Sequence, residues 1–113
     1  MKADVLPLSI EEHENFFSAT SHLPHLISYA LIKTIKDKDI DIEKFSAGGL
    51  SEFIRLTQSS ETLWSDIFMS NLENIEEDTE AFINNMHELL EEASKTDSKS
   101  LIKKIQLIKK GVS

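Results

Sequence analysis

The chain has 113 residues, enough for one domain with a modest core. A formal charge of −8, no cysteine, three glycines and two prolines argue against a nucleic-acid partner, thiolate or disulfide chemistry, and a hairpin-rich sheet. No apolar run reaches the ~20 residues of a membrane span and Met1 opens no signal-like pattern, so a cytoplasmic protein without a membrane partner is expected.

Residues 1–8 are short and mixed, with Val5, Leu6 and Leu8 apolar, and read as extended. "SIEE", Ser9 to Glu12, reads as a capping box: the serine hydroxyl caps a helix and the glutamate reaches back. Ile10, His13, Phe17, Thr20, Pro24, Ile27, Leu31 and Ile35 then recur at helical spacing. From Leu23 to Ile32 the chain is apolar nearly all round, so this part is predicted to be a central, buried helix. Pro24 lacks an N–H and crowds the carbonyl four residues back, which predicts a kink or break.

Lys33 to Lys44 reads as a charged link, and "FSAGGL", Phe45 to Leu50, as a turn. Ser51 to Ser60 reads as a short helix, with Ser59 or Ser60 able to cap the next. From Glu61 to about Ser94 runs the longest helical signal. Phe68, Leu72, Ile75, Thr79, Phe82, Met86, Leu89 and Ala93 form a heptad seam that needs a neighbouring helix or a second subunit. Thr96 to Ser100 is a break, and Leu101 to Lys110 a last helix. Its lysines alternate with Leu101, Ile105, Ile108 and Val112 as a solvated helix face, not a basic tail. The expectation is an all-α chain of four or five helices.

Few groups could carry chemistry. His22 and His25, in "SHLPH", lie three apart and share a helix face. A metal site would need a third ligand, and no zinc spacing is present. The pair reads either as packed or capping histidines beside a kink, or as a site for an anion or polar ligand, since imidazole can donate from either ring nitrogen. Arg55 is the one arginine among twelve cations. Its planar fork suits a carboxylate, and a plain ion pair is the competing reading. Gly48 and Gly49 lead into the Arg55 helix, where they allow a close backbone approach or simply make a tight turn. Trp64, four residues before Phe68, reads as core or interface. No phosphate loop, GxGxxG fingerprint or Ser-His-Asp order is present.

"HENFFSATSHLPHLISYALI" (residues 13–32) and "FSAGGLSEFIRLTQSSETLWSDIFMSN" (residues 45–71) resemble the C-terminal half of the prephenate dehydrogenase family, with its arogenate dehydrogenase relatives. The resemblance covers about residues 5–110. Departures are modest: Glu14 and Glu52 stand where Asp is common, Leu50 where Phe is common, and Ile54 where Thr is common.

The resemblance implies a helical domain like the C-terminal domain of 6-phosphogluconate dehydrogenase, intertwined into a homodimer, and makes residues 1–113 the dimerisation and substrate-binding half. The nucleotide fingerprint and catalytic histidine then belong to a Rossmann half outside this chain. It implies no catalytic, cofactor or metal ligand here, and NAD or NADP in the full-length enzyme.

By position, His25 resembles the substrate-contacting histidine and Arg55 the substrate-carboxylate arginine. Gly48, Gly49 and Glu52 match a turn that approaches the neighbouring subunit's site, and Trp64 a tryptophan near site and interface. His22 is counted with the candidate substrate-binding residues, although its motif position, like those of Ser21 and His13, implies a more structural role. Glu52, Phe68 and Leu72 are the candidate interface residues. The implied function is a share in the NAD(P)-dependent oxidative decarboxylation of prephenate to 4-hydroxyphenylpyruvate in tyrosine biosynthesis, with arogenate as the other possible substrate and no activity expected from the isolated chain. The rival reading is a stand-alone helical interaction module without enzymatic activity.

Overall fold

A computed structural model describes residues 9–44 and 48–112, and every regular element among them is helical. Val5, Leu6, Leu8 and half of the glycine turn, Phe45 to Ala47, lie outside the described residues. The elements are α1 (Ile10–Phe17), a π-helical turn (Ser18–His22), α2 (Leu23–Asp37), α3 (Leu50–Leu56), α4 (Glu61–Ser70), α5 (Leu72–Ala93) and α6 (Lys99–Lys109). They fall into two compact units, residues 1–78 and 79–113.

In the first unit, α1 starts on the expected capping box. Ser9 Oγ accepts from the Glu12 N–H at 3.1 Å, and Glu12 Oε1 accepts from the Ser9 N–H at 3.0 Å. Pro24 does not break the helix, which corrects one of the two outcomes expected of it: the helical run continues through it behind an irregular turn. The turn before it is widened, and the Leu23 N–H reaches the Ser18 carbonyl five residues back. Side chains serve the carbonyls around the proline: Thr20 Oγ1 donates to Phe16 O (2.9 Å), His25 Nδ1 to Ser21 O (3.1 Å), and Ser28 Oγ to Pro24 O (2.8 Å). The expected link from Lys33 is also corrected. α2 continues to Asp37, helped by the Lys33–Asp37 pair at 3.1 Å, and stops where Asp39 turns left-handed at φ 60°.

α3 packs against α2. Ser60 caps α4, its Oγ accepting from the Leu63 N–H at 3.2 Å. The single helix expected from Glu61 to Ser94 is two, because Asn71 leaves helical geometry (φ −119°, ψ 30°) between α4 and α5. The buried apolar residues, Trp64 (8% exposed) and Ile75 (3%), flank that joint. Ser18 and Ser28 are completely enclosed.

The second unit holds the rest of α5 and α6. Lys104 Nζ meets Glu88 Oε1 at 2.8 Å, and Lys95 Nζ meets Glu92 Oε1 at 3.0 Å. Ile83, Met86 and Leu90 on α5, and Ile102, Ile105, Ile108 and Val112 on and just after α6, are exposed. Among the described residues no helix is long and apolar enough to cross a membrane.

Candidate functional site

The two "SHLPH" histidines meet the tryptophan. The His25 ring lies flat on Trp64, with centroids 3.6 Å apart and planes 15° from parallel. His22 approaches the same indole edge-on at 5.9 Å. Trp64 continues into Phe68 at 5.7 Å, which meets Tyr29 edge-on at 6.2 Å. Residues 22, 25 and 29 supply one wall from the π-turn and α2, and residues 64 and 68 the other from α4. The three-to-four spacing of both sets puts each on a single helix face.

The two imidazoles differ in proton placement. A carbonyl only accepts, so His25 Nδ1 carries a proton toward Ser21 O and leaves Nε2 for other partners. His22 Nδ1 faces Asn71 Nδ2 at 3.2 Å. Burial holds His22 below the usual histidine range; His25 and His13 push the same way, and Glu14 opposes them.

Arg55, on the helix that packs against α2, has its own partner. Its Nη2 and Nε both point at Glu52 Oε1, at 2.9 and 3.3 Å, and both side chains are about two-thirds exposed or more. Among the described residues no hydrogen bond, ion pair or ring contact joins Arg55 to His25. Gly48 is left-handed (φ +66°), which a glycine adopts without strain, and precedes Gly49, the residue before α3. A side chain at Gly49 would meet nothing within 4 Å in this chain. Leu72 is exposed and Phe68 half-buried. No group of three or more metal-ligating side chains gathers among the described residues.

Sequence reasoning missed Asn71. Its amide is 5% exposed and donates to the Glu14 carbonyl at 2.9 Å, while Asn74 Nδ2 donates to its Oδ1 at 2.8 Å. The apolar spacing runs unbroken through position 71, so periodicity gave no signal. Only an asparagine between apolar turns hinted at a joint.

Residues 9–107 match the family model described as prephenate dehydrogenase, dimerization domain. The chain belongs to this family. It is 26% identical over 104 residues to a prephenate dehydrogenase of Bacillus subtilis, an alignment that takes in 89% of this chain and 28% of that protein. It is 37% identical over 68 residues to a cyclohexadienyl dehydrogenase of Zymomonas mobilis, 57% of this chain and 23% of that one. Among solved structures it resembles prephenate dehydrogenase from Aquifex aeolicus, with 30% identity, 90% of this chain and 37% of that chain covered, and a TM-score of 0.81. A further A. aeolicus structure, in complex with hydroxyphenyl propionate and NAD+, matches with a TM-score of 0.82 over the same shares at 30% identity. The dimerization-domain chain thus spans between about a quarter and two-fifths of the length of these proteins. Its all-helical fold fits the 6-phosphogluconate-dehydrogenase-like C-terminal helical domain expected from the resemblance.

Proposed function

We propose that this prephenate dehydrogenase dimerization domain forms the helical, substrate-facing part of an NAD(P)-dependent enzyme that oxidatively decarboxylates prephenate or arogenate in the cytoplasm, in the route to tyrosine. The observation that carries the reading is the His22–His25–Trp64 cluster, built from the motif residues that resemble the family's site. Prephenate is a dianion and the chain carries −8, so its binding needs a local gathering of donors. His25 offers Nε2, a donor to an anion when the ring carries its second proton, from a ring braced by indole and backbone. Arg55 offers a planar fork, with Glu52 holding it until a carboxylate competes. Gly48, Gly49 and Glu52 lie on the turn that would meet a neighbouring subunit, and Phe68 and Leu72 lie along its contact.

Hydride transfer requires a bound nicotinamide, and no nucleotide fingerprint occurs in these residues, so the chain works only together with a nucleotide-binding half. In that assembled enzyme, Arg55→Lys is expected to raise the KM for prephenate at least about tenfold, because a point charge cannot replace two parallel hydrogen bonds. Steady-state kinetics checks this. An unchanged KM would reduce Arg55 to the partner of Glu52.

The homodimer is supported by the exposed apolar stripes of the second unit. Burying one such leucine or isoleucine contributes about 1.5–3 kcal/mol, so stripes of this kind favour a protein partner over water.

A further inference from the structure

The Asn71 amide has its orientation fixed twice. The Glu14 carbonyl can only accept, so Nδ2 must face it, at 2.9 Å. Asn74 donates to Oδ1 at 2.8 Å, which holds the oxygen on the other side. One hydrogen of Nδ2 is spent on Glu14. The other points at His22 Nδ1, 3.2 Å away. That ring nitrogen must therefore accept, which requires a lone pair on Nδ1 and a proton on Nε2.

We propose that Asn71 is a positioning residue that fixes the tautomer of His22, holding its proton on Nε2. The assignment deepens the function proposed above and rests on it in one respect: a neutral ring locked this way still offers a hydrogen-bond donor to an anionic ligand, without needing to be charged. His25, three residues further on and stacked on the same indole, is held in the opposite tautomer by Ser21 O. The cluster thus presents two imidazoles whose outward nitrogens are unlike. The titratable groups around His22 are His25, His13 and Glu14; α4 and the α4–α5 joint contribute Trp64 and Asn71, which do not titrate in the same range.

The test is a long-range proton–nitrogen correlation spectrum of the 113-residue chain with nitrogen-15 histidine, at a pH above the titration of His22. In the native chain His22 is expected to show a bare Nδ1 and a protonated Nε2, with His25 showing the reverse as an internal control. Asn71→Asp replaces the donor with an acceptor and is expected to move the His22 proton to Nδ1. A native His22 protonated on Nδ1 overturns the proposal, as does an Asn71→Asp chain in which the tautomer is unchanged. If Asn71→Asp does not fold, Asn71→Ala, which removes the donor, is read instead: loss of exclusive Nε2 protonation supports the assignment, and its retention overturns it. No ligand enters the measurement, so a failure to bind prephenate would leave this result standing and would count only against the proposed function.

Discussion

The two units solve the problem of holding helices together by different means. Residues up to Asp78 interlock through rings and polar groups from distant parts of the sequence: His25 and His22 on Trp64, and Asn71 bridging Glu14 and His22. Residues from Thr79 onward pair α5 with α6 through the exposed Lys104–Glu88 bridge, and leave apolar stripes uncovered on both helices. The first arrangement is specific; a stack or a buried amide has one geometry. The second is less specific, since surface ion pairs stabilise little and wetted isoleucines contribute nothing. The lesson is a difference of means: rings and a buried amide fix the first unit, while a surface ion pair joins the helices of the second.

The largest expected blow to this contrast is Trp64→Ala. It removes the buried platform under His25, and should destabilise the chain by about 3–5 kcal/mol in denaturant unfolding. A loss below about 1 kcal/mol would mean that the rings do not hold the first unit. Next comes Leu90→Glu, at a position 63% exposed in the single chain. If that stripe is a subunit contact, sedimentation should show the dimer dissociation constant raised about 100-fold, or about 2.7 kcal/mol. The same charge on a truly solvated face would change nothing.

Acid should act on the first unit through His22. Its pKa is lower folded than unfolded, so folding favours the neutral ring. The stability this gives is complete above the ordinary value of 6.5 and is lost as pH falls through the lower, folded value. The unfolding free energy should therefore fall on acidification below about pH 6.5, by no more than about 1.4 kcal/mol per pH unit for one proton, as denaturant titrations at stepped pH would show. His22→Gln should flatten that slope; an unaltered slope would place the sensitive group elsewhere. The smallest effect is expected from Lys104→Ala in the second unit, below about 1 kcal/mol, as for other solvent-exposed pairs.

Much of this was legible in the residues. The caps at Ser9 and Ser60 are local chemistry, visible as a hydroxyl before an apolar run. The "SHLPH" face and Trp64 stood out because few donors and one tryptophan interrupt an acidic, lysine-rich chain. The joint at Asn71 was hidden for a physical reason. Asparagine costs a helix well under about 1 kcal/mol, so its exit from helical geometry is decided by bonds to Glu14 and His22, 57 and 49 residues away. The same holds for α2 running on to Asp37, where lysine-rich composition looked like a link but Lys33 and Asp37 sit one turn apart. Arg55 stood out as the one arginine, and what the sequence could not contain was its Glu52 partner geometry, a matter of rotamers.

The widened turn at Ser18–His22 carries a consequence for how this chain tolerates change in length. A π-turn holds one residue more than the α-helical turn it replaces. Deleting that residue would let ordinary helix run straight through with the later faces in place, whereas tightening the turn to ordinary helix with the residue kept would rotate everything after it by about 100° relative to α1. His25 would swing off the indole while the composition, charge and helix content stayed nearly the same.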